Sequence, residues 1–320
     1  MPAAENDPIN VLQKADHFAD LYNWASAVPL YKQAEPLLQA SGHRHDALRA
    51  HIGALHTPTV NSLVKQSREL AVTLSRNPAL KTDRQLRLFA LVVKGDLDGD
   101  LDQSAARTDW TEAQALAREL HDEKWVYRSE GQIVFADYYD GDLASCQKRV
   151  SSALIAATAA RDIGAQIFYL SATAQGFVAQ SLLQEEAVSD AQKAIALAAE
   201  HPDVGPPFIA NAVLVQALVN LKKVPEAKAF VDKLLQEGHE IPEEEANYEA
   251  SAAAVAMAQH DPQTAIAYLR RSIEIVGRMD AMRHKADREG ELASIYLAVG
   301  DLDDAEQLAR SAVKTLQNFG

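Results

Sequence analysis

Three groups of residues in this 320-residue chain carry side chains that could perform chemistry. Acidic residues alternate over positions 96–102, four of the ten histidines lie within positions 43–56, and the single cysteine is Cys146. These groups suggest a calcium loop, a transition-metal site and a nucleophile, respectively. Each chemistry requires a particular spacing or setting, which the sequence can test.

The acidic run does not have the spacing of a calcium-binding loop. An EF-hand loop needs glycine at its sixth position and a bidentate glutamate at its twelfth. When the loop is started at Asp96, these positions hold Leu101 and Arg107, and a start at Asp98 fails in the same way. We therefore predict a solvated acidic turn or helix segment with its leucines facing inward, which leaves at most a weak surface cation site.

The histidines and the cysteine do not form a recognisable catalytic or metal-binding motif. Metal-binding histidines on a helix usually lie four residues apart, whereas His43, His45, His51 and His56 are separated by two, six and five residues. Cys146 occupies a position that repeats elsewhere as a small residue packed between helices, where a thiol behaves as a small apolar group. We predict solvent-facing histidines, no enzymatic activity, no metal and no cofactor.

The composition excludes several classes of partner. The chain has 45 acidic and 31 basic residues and a net charge of −14, which disfavours a nucleic acid or an anionic membrane as partner.

One cysteine cannot form an internal disulfide. The N-terminus lacks the basic and apolar regions of a signal peptide, and the apolar runs are too short to span a bilayer. These features predict a cytoplasmic protein.

A short pattern recurs along the chain and predicts the fold. It consists of a turn residue, a hydrophobic residue, two spacers and a small residue. The small residues are Ala27, Ala113, Cys146, Ala187, Ala227, Ala265 and Ala305. Further small or apolar residues follow at +4 and +7, which places them on one face of a helix, and a second apolar helix precedes each turn. Such helix hairpins cannot bury their apolar faces alone, so stacking into a right-handed α-solenoid is predicted.

The last copy of this pattern, from Leu292 to Ala312, resembles the tetratricopeptide repeat signature through Tyr296, Gly300 and Ala305. The repeat is about 40 residues, longer than the usual 34, and is similar to the longer repeats of bacterial regulators and signalling proteins. We predict an all-α protein with sixteen helices in about eight antiparallel hairpins, forming one array over residues 1–320.

Two features of this array are predicted to depart from regularity. The segment 201–207, which contains three prolines, is the expected subdomain joint. Pro29 and Pro36 fall in the second helix of the first hairpin, where proline removes a hydrogen-bond donor, so this hairpin is expected to be distorted.

In a helical-hairpin solenoid the first helices of the hairpins line the concave face, and their outward positions are the natural contacts for a partner. By register these residues are Arg128, Phe135, Tyr138, Tyr139, Tyr169, Gln180, Gln216, Asn220 and Asn247. Aromatic and amide side chains suit an extended peptide or a short helix. For the aromatic residues, above all Phe135, the alternative is that they fill space between hairpins.

These observations predict a non-enzymatic scaffold that binds a protein or peptide segment in its groove. The alternative is a ligand- or peptide-sensing domain that controls an effector outside this chain, such as a CHAT-type protease or a transcription activator. The last helix has apolar residues where a solenoid normally ends in a polar cap, among them Val313 and Leu316. We therefore expect either a chain truncated at its C-terminus or self-association through this helix.

Overall fold

The computed structural model describes residues 7–56, 63–99, 101–139, 143–181, 183–237, 241–279 and 281–317, without the side chains of 135–139 and 145. Within these ranges all regular secondary structure is helical. The helices are α1 (Pro8–Asp20), α2 (Trp24–Ala40), α3 (Arg44–Ala54), α4 (Leu63–Arg76), α5 (Pro78–Thr82), α6 (Arg84–Gly99), α7 (Gln103–Glu119), α8 (Glu123–Tyr139), α9 (Leu143–Ala159), α10 (Ile163–Ala179), α11 (Gln184–Glu200), α12 (Phe208–Asn220), α13 (Val224–Gln236), α14 (Pro242–Ala258), α15 (Pro262–Arg278), α16 (Met282–Val299) and α17 (Leu302–Leu316). The sixteen predicted helices are present, and the five-residue α5 is additional.

Many of the turns between helices share one backbone conformation. Gly300 has a φ of 87°, and the backbone N–H of Asp301 donates to the carbonyl oxygen of Tyr296 over 2.9 Å. Equivalent left-handed residues, each followed by the same hydrogen bond, are Tyr22, Gly42, His121, Arg161, Lys222 and His260. This is the Schellman arrangement that satisfies the last carbonyls of a helix. The residue that follows often caps the next helix, as when the Asn23 side chain accepts from the Ser26 N–H over 3.1 Å.

The chain folds as two compact units. The first unit comprises Met1–Tyr169 with Leu197–Pro206. Within it α1 packs on α2, α2 on α3, α6 on α7, α7 on α8, and α8 on α9. One apolar core extends from Val11 to Ile133. Glycine permits close contact at two places in this core, because a Cβ on Gly53 would lie 2.5 Å from the ring of Tyr31 and one on Gly95 would lie 2.7 Å from the ring of Trp110.

The second unit comprises Leu170–Ala196 with Pro207–Gly320. Within it each helix from α12 to α17 packs on the next. Its principal core combines small residues with a few large ones, and Ala253, Ala265, Leu269 and Tyr296 are all buried there. Helices α10 and α11 are divided between the two units. The single array over 1–320 with a joint at 201–207 stays a prediction.

Two details of the predicted hairpins require correction. Asp109 and Trp110 do not open a helix, because α7 already begins at Gln103, where the Asp102 side chain accepts from the backbone N–H of Ser104 over 3.0 Å. Helix α2 runs unbroken through Pro29 and Pro36. Both prolines are exposed, so the carbonyl groups that lose their helical donors can bond to water instead.

Candidate partner-binding site

Two of the predicted contact residues lie one turn apart on α12 and are joined to a third amide on α11. The Gln216 Nε2 donates to Asn220 Oδ1 over 3.0 Å. The Asn220 Nδ2 donates in turn to Gln184 Oε1 over 2.9 Å, and the Gln184 Nε2 donates to the Phe177 carbonyl oxygen on α10 over 3.2 Å. We call Gln184, Gln216 and Asn220 the amide row. It lies within the second unit and links residues of neighbouring hairpins.

The amide row is accessible to a partner. Asn220 is exposed, and Gln184 and Gln216 are half-buried. Gln180, which directly follows α10, is also half-buried, and its Nε2 donates to the Gly176 carbonyl oxygen over 3.1 Å. A carboxamide carries two donors and an acceptor with two lone pairs. These side chains can therefore bond to each other and to a peptide backbone at the same time.

Asn247, the next predicted contact, joins α14 to α16. Its Nδ2 donates to the Glu243 carbonyl oxygen over 3.0 Å, and its Oδ1 accepts from an Arg288 guanidinium N–H over 2.9 Å. The Arg288 guanidinium also donates to Glu291 over 2.7 Å. Arg288 is not among the contact residues predicted from the sequence. Its position 41 residues after Asn247, about one repeat length, is the signal that could have found it.

Arg128 lies inside the first unit, with 1% of its surface exposed. Its guanidinium donates to both oxygens of Asp162 over 2.7 and 2.8 Å and to the Asp20 carbonyl oxygen over 2.9 Å. The group also lies 4.9 Å from the centre of the Tyr22 ring. Burial by itself would raise the pKa of Asp162, but the hydrogen bonds and charge of Arg128 hold that pKa below its ordinary value.

Tyr169 is also internal and has no exposed surface. Its hydroxyl donates to the Tyr127 carbonyl oxygen over 2.6 Å, and its ring lies directly against Gly131. Burial raises the pKa of Tyr169 far above its ordinary value. Because Arg128 and Tyr169 are enclosed by the chain itself, we leave both out of the partner surface proposed below.

The remaining predicted contacts are the aromatic residues Phe135, Tyr138 and Tyr139. Their backbone belongs to α8, but their side chains lie outside the described residues. Their role as partner contacts stays a prediction.

The histidines that suggested a metal site lie beside carboxylates. His45 Nε2 lies 2.5 Å from Asp83 Oδ2, and His56 Nε2 lies 3.1 Å from Asp96 Oδ2. The hydrogen bond to Asp83 raises the pKa of His45. Among the described residues, no group of three or more His, Cys, Asp or Glu side chains is arranged to hold a metal ion. Cys146 is buried, with its Sγ 3.5 Å from the Val134 carbonyl oxygen.

The acidic run is only partly solvated. Leu97 faces inward as predicted, but Asp98 is also buried, with 3% exposed. The Lys94 ammonium lies 2.5 Å from Asp98 Oδ2 and 2.7 Å from Asp109 Oδ2. Burial raises the pKa of Asp109 to about 6, with Lys94 opposing the shift and Asp98 adding to it. One lysine thus forms ion pairs with two buried carboxylates in the first unit.

Similarity to known proteins is visible in structure rather than in sequence. A chain of the APC/C hetero-tetramer Cut9–Hcn1 superimposes with a TM-score of 0.62 and 12% identity, covering 98% of this chain and 54% of that one. Yeast Tom70 gives a TM-score of 0.47 and 13% identity, covering 98% and 81%. This chain therefore spans about half the length of the Cut9–Hcn1 chain that it matches. No protein-family model and no curated protein sequence matches.

In the described ranges, no helix is both long and apolar enough to cross a membrane. The repeated hairpins, the Schellman turns and the likeness to the Cut9–Hcn1 chain agree with the predicted fold class. The chain is a tetratricopeptide-repeat-like α-solenoid.

Proposed function

We propose that this chain is a non-enzymatic protein-interaction scaffold whose second unit binds an extended peptide segment along α12, beside the neighbouring α14. Folds of this type generally mediate protein–protein interaction. The observation that carries the proposal is the amide row, in which the exposed Asn220 is oriented by hydrogen bonds to Gln216 and Gln184. Asn247, which is half-buried on α14, is a further accessible amide on the next hairpin.

The spacing of the amides suits an extended backbone. Gln216 and Asn220 are four residues apart on a helix, which corresponds to about 6 Å along the helix axis. Two residues of an extended peptide span about 6.6 Å. A peptide that runs along α12 can therefore present equivalent backbone groups to both side chains. Recognition of this kind depends on the peptide backbone more than on particular side chains.

Charge adds a preference for basic residues in the partner. The chain carries a net charge of −14, and Glu243, Glu244 and Glu245 open α14 next to Asn247. Opposite charge on a partner raises the rate of association and disfavours competing acidic segments.

A displayed library of random peptides selected on the intact chain tests this proposal. Peptides that bind the wild type should lose at least about tenfold in affinity to the variant with Gln216→Ala and Asn220→Ala, since two sets of hydrogen bonds are removed. The matched control carries Gln236→Ala and Gln263→Ala, which remove two exposed amides from the second helices of hairpins. The control should bind as the wild type does. Equal binding by both variants would contradict the site.

We further propose that the chain associates with itself through α17. The cytoplasmic location, bacterial origin and signalling role expected from the sequence stay predictions.

A further inference from the structure

Helix α17 exposes a stripe of apolar residues along one face. Leu302 is 62% exposed, Val313 54% and Leu316 38%, and Ala309 between them is exposed as well. Their spacing of seven, four and three residues keeps them on one side of the helix. We call these four residues the α17 stripe. Exposed apolar surface of this kind marks a contact with another molecule.

The preceding hairpin shows what normally covers this face. Forty residues earlier on α15, Leu269 and Val276 hold the positions of Ala309 and Leu316, and they are only 2% and 3% exposed. They lie on a helix against which α16 packs. The position of the buried Ile266 is held on α17 by Glu306, which is exposed and paired with Arg310 of the same helix. A cover that leaves position 306 at its edge keeps this ion pair in solvent.

The charged residues beside the stripe are ordered along the helix. Asp303 and Glu306 lie in its first half, and Arg310 and Lys314 lie in its second half. All four flank the same edge of the stripe by helical periodicity. In an antiparallel pair of identical helices this edge faces its own copy, so Asp303 meets Lys314 and Glu306 meets Arg310. In a parallel pair this edge would face the opposite edge of the second copy, so these four charged residues would not meet one another.

The apolar residues require the same register as the charges. When Asp303 lies opposite Lys314 of a second copy, Leu302 lies opposite Leu316, and the helices cross near Ala309. A small residue at the crossing point allows the two helices to approach closely. Charge order, leucine positions and the small central residue thus agree on one two-fold arrangement.

We propose that the α17 stripe binds a second copy of this chain in an antiparallel, two-fold pair of α17 helices centred near Ala309. The inference rests on the proposed self-association, and it does not depend on the peptide surface of α12 and α14. A contact between two single helices is small, so the dimer is expected to be weak and concentration-dependent.

Sedimentation equilibrium on the intact chain, from about 1 µM to about 1 mM, tests the dimer over the range of weak association. One variant carries Asp303→Lys and Glu306→Lys, and the other carries Arg310→Glu and Lys314→Glu. In each variant by itself, all four residues along this edge carry the same sign of charge and repel their copies. Each variant should therefore dimerise at least about tenfold more weakly than the wild type. An equimolar mixture should restore association, because the exchanged charges are again complementary.

Disulfide trapping tests the orientation in a Cys146→Ala background. Ala309→Cys lies at the crossing point and should form a covalent dimer on oxidation. Leu302→Cys alone should not, since the two copies of this position lie about 20 Å apart at opposite ends of the pair. Mixing Leu302→Cys with Leu316→Cys chains should restore the crosslink.

A wild-type chain that stays monomeric throughout this range would overturn the proposal and leave the stripe to a different partner. The proposal would also be overturned if either of the two double charge-reversal variants by itself dimerised as tightly as the wild type. The contact between copies would then lie elsewhere. Neither result changes the outcome of the peptide-binding test, so the two proposals fail separately.

Discussion

The two units bury their polar groups in different ways. In the first unit, Arg128 and Lys94 are largely enclosed and are held by buried carboxylates, including Asp162 and Asp98. In the second unit, buried polar contacts include neutral pairs such as Asn211 Nδ2 donating to the Tyr248 hydroxyl over 2.7 Å. There the buried Glu249 reaches Arg271, a cation with half of its side chain exposed.

This difference indicates where each unit tolerates change. Removing one member of a buried ion pair leaves a charge without compensation, whereas an exposed pair contributes little. The packing of the first unit therefore depends on several charged groups being present together. The second unit can vary surface residues such as Asn220 with small effects on stability. That tolerance suits a surface that recognises partners, and it makes the amide row testable by substitution.

The largest expected effect comes from breaking the Arg128 network. Arg128→Ala leaves Asp162 buried without its cation and should lower the free energy of unfolding by about 3–5 kcal/mol. Urea denaturation gives the total loss, and hydrogen exchange should locate it in the first unit. The control is Lys233→Ala, which breaks an exposed pair with Glu237 in the second unit and should cost less than about 1 kcal/mol. If both variants lost a similar free energy of unfolding, the contrast between the two units would be contradicted.

Replacing one glycine in each unit by alanine should change stability in opposite directions. A Cβ on Gly131 would lie 2.6 Å from the Tyr169 hydroxyl oxygen, so Gly131→Ala should destabilise by about 1–3 kcal/mol through overpacking. A Cβ on Gly290 meets no atom within 4 Å, so Gly290→Ala should stabilise α16 by about 0.5–1 kcal/mol through helix propensity. Thermal unfolding measures both changes. A neutral Gly131→Ala would show that the ring of Tyr169 can move.

A third test uses the pH dependence of the first unit. The pKa of Asp109 is about 6 in the folded protein and about 3.8 in an unfolded chain. The folded protein therefore binds this proton more tightly, and its stability rises as pH falls from about 6 to about 4. Asp109→Asn keeps an acceptor for Lys94 but cannot titrate. Between pH 7 and pH 4 the wild type should gain about 1–2 kcal/mol relative to this variant. If the free energies of unfolding of the wild type and of Asp109→Asn changed equally with pH, the raised pKa of Asp109 would be refuted.

The helical register identified part of the candidate site from the sequence. Gln216, Asn220 and Asn247 were placed by their positions in the repeat, and all three are at least partly accessible. Arg128 and Tyr169 were placed by the same register but are buried. The difference arises because the turn between α1 and α2 packs against Arg128, which lies 108 residues further along the chain than Asp20. A repeat pattern carries no information about such a contact.

The sequence by itself determined the helices, their turns and their pairing into hairpins. These features follow from interactions between residues a few positions apart, such as the Schellman turn before Asp301 and the small residue at Ala305. Only the tertiary structure decided which polar side chains are enclosed. The guanidinium of Arg128 is held by Asp162 and by the Asp20 carbonyl oxygen, 34 and 108 residues away in the sequence. The free energy of a buried charge depends on the partners that such distant helices bring to it.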